Sequence, residues 1–379
     1  MKNWNLKNLE EIVNFSMPIM SFTDKDKKII IGEYGMLNAS TPPEFFGDAG
    51  KDGKNIVRNF MKRFKVENIQ WLLNEKKVKD PMSLEFDMIG VDPGFANAIR
   101  RILISDVPSM AIEKVFIYNN TSIVQDEILS HRLGLIPLKA DPRLFEMKAV
   151  PFDPAVDSSR KSEDELVEEA EGTEKDTVIY ELKIRCKRNP TATAGSRAVK
   201  DFFDSNVYSK SIKPIRRQGQ PEDIGMIHDD ILIAKMRPGH ELDIKLYAIK
   251  GYGRDHAKFS PVATASYRLL PEVKLLKPVT GEAAQRLQSC FSEGVIGIKK
   301  TKDQEAYVKN ARHDACSRNI YRHEDLKDSV EMSKIRDHFI FNIESVGAIP
   351  PEDLVPMALD VLIEKCDYFI DVLEKVTQK

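Results

Sequence analysis

Cysteine is scarce in this chain. Four occur in 379 residues (Cys186, Cys290, Cys316 and Cys366), and no two are spaced as Cys-x-x-Cys. A disulfide-stapled secreted domain needs more cysteines, more closely spaced, so a reducing, intracellular compartment is expected. Long apolar runs are missing too. No run of about 18 apolar residues occurs, which argues against a membrane span. Residues 1–20 mix Lys, Asn and Glu into their apolar positions and lack a signal core. Without such a signal, Asn38-Ala-Ser40 and Asn119-Asn-Thr121 match the glycosylation pattern by chance. Neither sign of charge dominates: 57 Lys plus Arg against 59 Asp plus Glu leaves −2. A protein that grips nucleic acid by its own net charge carries a basic excess, so any DNA contact here is local or delegated.

What is present suffices for real cores. Hydrophobic residues are 42% and aromatics 8%, which excludes wholesale disorder. At roughly 150 residues per domain the length suggests two to three domains. Residues 1–57 read as an extension with a loop at Gly47–Lys54. Its spacing fails as a phosphate loop, and Asn55 stands where a magnesium-binding Ser or Thr is needed.

Leu84, Phe86 and Met88 alternate with Ser83, Glu85 and Asp87, the pattern of a half-buried strand. Asp92 can cap a helix that begins at Pro93 and carries Phe95, Ile99, Ile102 and Leu103 on one face. A second strand is expected near Glu113–Tyr118. Ser122 with Gln125 then spells a capping box for a helix carrying Ile128, Leu129, Arg132 and Leu133, with Gly134 just past its end.

Residues 156–176 are acidic and read as a surface loop. Two strands follow, one around Val178–Cys186 and one around Leu242–Ala248. A helix is expected at Gly281–Ser292 and a strand around Phe339–Ile343. After Pro350-Pro351, the residues Val355, Leu359, Leu362, Cys366, Phe369, Leu373 and Val376 alternate spacings of four and three, a heptad seam. Burial within the chain and contact with another subunit both explain a seam, and they are compatible.

Two blocks carry a family resemblance. One runs Phe86-Asp-Met-Ile-Gly-Val-Asp-Pro-Gly-Phe-Ala-Asn-Ala-Ile-Arg-Arg-Ile-Leu-Ile-Ser-Asp-Val-Pro108. The other runs Gln125-Asp-Glu-Ile-Leu-Ser-His-Arg-Leu-Gly-Leu-Ile-Pro137. In this order they resemble the signature of the α-like subunits of multisubunit RNA polymerases. A weaker likeness lies at Gly251-Tyr-Gly-Arg-Asp-His-Ala-Lys-Phe-Ser-Pro261.

The resemblance implies an α+β fold: an α-like dimerisation domain interleaved with an insert domain. The expected division is an extension at 1–57, a discontinuous dimerisation domain at 58–110, 238–269 and 335–379, and an insert domain at 111–237. Residues 270–334 would be a ferredoxin-like inserted segment without clusters. The family pairs two such chains through their helices and then holds the large catalytic subunits. It therefore implies a subunit interface of Phe95, Ile99, Arg100, Arg101, Ile102, Leu359, Leu362, Cys366, Phe369 and Leu373.

Arg100 and Arg101 sit about 100° apart on a helix, so at least one points off the apolar stripe. The resemblance implies that the second-largest subunit docks near them, with Arg132 either joining that surface or pairing with a nearby acid. His131 is expected to be a hydrogen-bonded structural histidine. The implied partners are a smaller α-like subunit, the second-largest subunits of polymerases I and III, and small zinc-binding common subunits. DNA is met only indirectly, and no membrane contact is expected.

Length, the stretch Asn59-Phe-Met-Lys-Arg-Phe-Lys65 and the lack of cysteine clusters are similar to the branch of the family that serves polymerases I and III. The messenger-RNA polymerase branch carries a clustered-cysteine zinc site. Here the insert offers only Cys186. In residues 270–334, Cys290, His313, Cys316 and His323 form no recognised ligand pattern. Asp201 and Asp204 lack a third aspartate for catalytic magnesium, and no nucleotide or nucleophile motif appears. The expectation is a non-catalytic assembly scaffold, without cofactor or metal, in the nucleus and nucleolus. The alternatives are the messenger-RNA polymerase paralogue and, in another class, a free-standing metal or redox protein.

Overall fold

The computed structural model describes residues 28–38, 58, 60–73, 79–148, 167, 169–190, 202–300 and 302–377. The loop expected at Gly47–Lys54 and most of the acidic stretch 156–176 lie outside them. The elements used below are β1 (Lys28–Ile31), β2 (Lys65–Leu73), β3 (Lys79–Ile89), α1 (Pro93–Ser105), β4 (Pro108–Asn120), α2 (Asp126–Gly134), β5 (Thr177–Arg185), β6 (Lys213–Ile215), β7 (Glu241–Tyr252), β8 (Val262–Leu275), α3 (Gly281–Cys290), β9 (Val330–Ser345) and α4 (Pro351–Thr377). Helices and sheets are mixed, as an α+β chain requires. No described helix is long and apolar enough to cross a membrane.

The chain divides into two compact units, residues 1–70, 85–98 and 266–342 in one and 71–84, 99–265 and 343–379 in the other. The first holds a five-stranded sheet of order β1-β9-β3-β2, with β8 also pairing with β9. Phe86 of β3 stacks on Phe341 of β9, ring centroids 5.2 Å apart. Leu84, Phe86 and Met88 are buried as the alternation predicts, but so are Ser83 and Asp87. The half-buried reading of β3 is therefore corrected: its other face is covered as well.

Beyond β8, α3 turns Ala284, Leu287 and Cys290 into a satellite core with Ile296, Ile320, Leu326 and Met332. Gly90 makes the turn into α1 at φ +77°, and a Cβ there would lie 2.3 Å from the Arg63 carbonyl oxygen. The expected cap forms: Asp92 Oδ2 accepts from the Gly94 amide at 2.7 Å.

The second unit holds an antiparallel sheet of order β6-β5-β7-β4. Ile244 of β7 lies between Leu182 of β5 and Ile117 of β4. Val178, Tyr180, Leu182, Leu242, Ile244 and Leu246 bury one face with Leu129 and Leu133 of α2.

The capping box before α2 does not form. Asn120 captures the turn instead: its Oδ1 accepts from the Ser122 amide at 3.0 Å and its Nδ2 donates to Asp126 Oδ1 at 2.6 Å. Gln125 precedes the helix without a side-chain cap bond. Gly134 is the last helical residue rather than the one after it.

Candidate subunit interface

Helix α4 is fixed at its start and bare along most of its length. Pro351, Leu354 and Ala358 are its buried residues. Arg143 forks onto Asp141, with Nε–Oδ1 at 3.0 Å and Nη2–Oδ2 at 2.8 Å, and reaches Asp353 Oδ2 through Nη1 at 3.0 Å. Lys365 is ion-paired with Asp106. Between these anchors lies a groove of about 520 Å³ lined by Lys250, Tyr252, Arg254, Met357, Val361 and Tyr368, among others.

Past Ala358 most of the apolar side chains face water. Leu359 is 36% exposed, Ile363 57%, Phe369 63%, Ile370 52%, Leu373 63% and Val376 65%. Cys366 is exposed, and Leu362 is half-buried. At about 100° per residue, Leu359, Leu362, Cys366, Phe369 and Leu373 fall within an arc of roughly 80°, which Ile363 and Ile370 widen. Burying a Leu, Ile or Phe side chain gains about 1.5–3 kcal/mol, so leaving such a stripe wet forgoes a large term that a covering surface would recover.

The expectation for α1 is corrected. Ile99 and Ile102 are buried by the chain itself, together with Ala96 and Leu103, so they form core and not a free face. Phe95 is half-buried and packs edge-on against Phe60, centroids 6.2 Å apart. The opposite side of α1 carries Arg101, which is exposed, and Arg100, which is half-buried and engaged within the chain. Ile104, 38% exposed, lies between them on the helical wheel; the periodicity argument missed it.

Arg132 is exposed, and its Nη2 donates to the Leu232 carbonyl at 2.6 Å, so its partner is a backbone carbonyl rather than an acid. His131 is exposed and meets the His256 ring edge-on at 6.4 Å, with no hydrogen bond among the described residues. The expectation of a hydrogen-bonded structural histidine is corrected accordingly.

The Gly251–Pro261 stretch stitches β7 to the end of α1. A Cβ on Gly253 would lie 2.1 Å from the Ile104 carbonyl oxygen. The Arg254 amide donates to the Ser105 carbonyl at 3.0 Å. Lys258 Nζ donates to the Ile112 carbonyl at 2.8 Å and pairs with Glu113.

One cluster was invisible to sequence reasoning. Asp87, fully buried, receives both Nη groups of Arg312 at 2.7 and 2.8 Å, Asn68 Nδ2 at 2.7 Å and the His338 ring at 3.0 Å. Arg312 also donates to Glu85 at 2.8 Å. Burial alone would raise the Asp87 carboxyl, but the bonds from Arg312, Asn68 and His338 outweigh it and hold the carboxyl down at about 2. Among the described residues no group of three or more His, Cys, Asp or Glu is placed to hold a metal.

The family model of the RNA polymerase Rpb3/Rpb11 dimerisation domain matches residues 85–366. The DNA-directed RNA polymerases I and III subunit RPAC1 of Homo sapiens is 47% identical over 357 residues, 92% of this chain and 96% of that protein. Its counterpart in Saccharomyces cerevisiae is 43% identical over 348 residues, 89% of this chain and 97% of that protein. The DNA-directed RNA polymerases II, IV and V subunit 3 of Arabidopsis thaliana is 30% identical over 300 residues, 77% of this chain and 88% of that protein.

Proposed function

Because the chain belongs to the RNA polymerase Rpb3/Rpb11 dimerisation family, we propose that it is the α-like subunit shared by RNA polymerases I and III. It pairs with a smaller α-like subunit and so nucleates assembly for ribosomal and small RNA transcription. The observation that carries this reading is α4: its apolar stripe runs mostly uncovered from Leu359 to Val376. A helical partner of that length suits an interface on the order of 1,200–2,000 Å². The branch follows from identity, 47% to a subunit named for polymerases I and III against 30% to one named for polymerases II, IV and V.

The chain's role is architectural and non-catalytic. Residues 58–110, 238–269 and 335–379 act as the dimerisation domain, 111–237 as the insert, and 270–334 as a ferredoxin-like segment filled by side chains in place of clusters. Phe95 also meets a partner subunit. The second-largest subunits dock on Arg100, Arg101 and Arg132, the last through the donors that Leu232 leaves unused. Small zinc-binding common subunits complete the assembly in the nucleus, nucleolus included.

Replacing Leu362 and Phe369 with Asp should leave the strand content intact and abolish co-purification with the smaller α-like subunit. Identification of co-purified chains decides the branch, since components of polymerases I and III should come down together. A normal complex from the double variant would refute the reading. So would stoichiometric iron or zinc with turnover by the lone chain, which would revive the free-standing metal protein.

A further inference from the structure

The apolar stripe of α4 does not run alone. On its Ile363–Ile370 side stands a row of carboxylates, Asp360, Glu364, Asp367, Asp371 and Glu374, recurring every three or four residues. Asp360 and Glu364 line the groove that also carries Arg143, Lys250 and Arg254. Asp367, Asp371 and Glu374 continue beyond it. All three are exposed, and their side chains have no ion pair or hydrogen bond among the described residues. Past Ala358 the helix sets only Lys365 and Lys375 against them, and Lys365 is engaged by Asp106.

We propose that this row selects the partner. The helix that covers the stripe presents Lys or Arg along the edge meeting Asp367, Asp371 and Glu374, and a second copy of this chain is rejected. The inference rests on the assembly reading above and specifies the chemistry of the covering surface. The stripe itself cannot discriminate, because apolar burial is non-directional and rewards any greasy helix. Charges bordering a helical seam do discriminate: they set partner choice, and like charges brought opposite one another count against the wrong pair.

Self-pairing through a two-fold axis lays the same patch on itself. With antiparallel helices the same border of each copy meets, so three carboxylates from each gather along one edge with no counter-charge. A parallel self-pair would instead need the border of α4 already seated on the chain's own Leu354–Ala358 contacts and Asp106.

The full-length wild type and the triple variant Asp367→Lys, Asp371→Lys, Glu374→Lys are each titrated with the purified smaller α-like subunit at about 0.05 and 0.5 M salt, to vary the screening. The substituted side chains are exposed, and circular dichroism checks that the fold is kept. The variant should bind about tenfold more weakly at low salt, the sum of three rim pairs, with the gap closing at high salt. Sedimentation of a mixture of wild type and variant should show a dimer of this chain that neither forms alone, since opposite borders then meet. Equal affinities at low salt, a gap indifferent to salt, or a wild type that dimerises with itself through α4 overturns the proposal. Absence of any binding by the wild type fails the assembly reading instead.

Discussion

Replacing Arg312 with Met keeps most of the side-chain volume and removes the guanidinium that Asp87 and Glu85 share. Asp87 is wholly buried, and the Arg312 side chain is only 16% exposed. Removing one member of such a pair strands the other, at a cost of about 3–5 kcal/mol. The pH dependence gives an independent check. The Asp87 carboxyl lies at about 2 in the folded chain against 3.8 unperturbed, and this difference corresponds to about 2 kcal/mol of stability. Because the folded value is depressed, that stability is present above about pH 4 and drains away as the pH falls toward 2.

In the variant burial remains while the strongest donor is gone, so the carboxyl shifts upward and protonation becomes a relief. Wild type and variant should therefore differ by about 3–5 kcal/mol at neutral pH, and the gap should narrow by about 2 kcal/mol toward pH 3. Urea unfolding followed by circular dichroism at both pH values measures it, with amide exchange in β3 reporting the locality. A neutral-pH difference below about 1 kcal/mol, or one that does not change with pH, would refute the reasoning.

Gly253→Val should lower the melting temperature sharply, because a Cβ 2.1 Å from a backbone oxygen forces the end of α1 away from β7; overpacking of this kind costs about 1–3 kcal/mol or more. A variant that melts like wild type would remove the close approach from the argument. Leu354→Ala and Leu373→Ala should separate the two faces of α4. The first, fully buried, should cost about 2–5 kcal/mol of stability. The second, 63% exposed, should leave stability within about 0.5 kcal/mol while weakening the heterodimer. Equal effects on unfolding would contradict the assignment of faces. Cys366 is the one exposed cysteine of the four, so maleimide should label it first in the isolated chain and slowly in the heterodimer; labelling at the same rate in both would place the partner elsewhere.

What the sequence could reveal depended on range. The start of α1 was legible because the Asp92 cap and Pro93 lie beside the helix they initiate. Strands β5 and β7 were legible because period-two burial is a local pattern. The capping box failed because Asn120, two residues before Ser122, made the competing turn. The Asp87 cluster had no local signature at all: Arg312 lies 225 residues away and His338 251, and an acidic residue on an alternating strand ordinarily means solvent.

The two interface helices mark the sharper limit. Both carry an apolar stripe, and the stripe says only that something covers it. On α1 the cover is the chain itself, which took Ile99 and Ile102 into the core. On α4 the chain covers Leu354 and Ala358 and then stops, while the seam continues to Val376. An amphipathic period states a demand for burial; whether the chain's own surface ends before that demand does can be read only from the fold. On α4 it ends first, so the remaining length of the helix measures the partner.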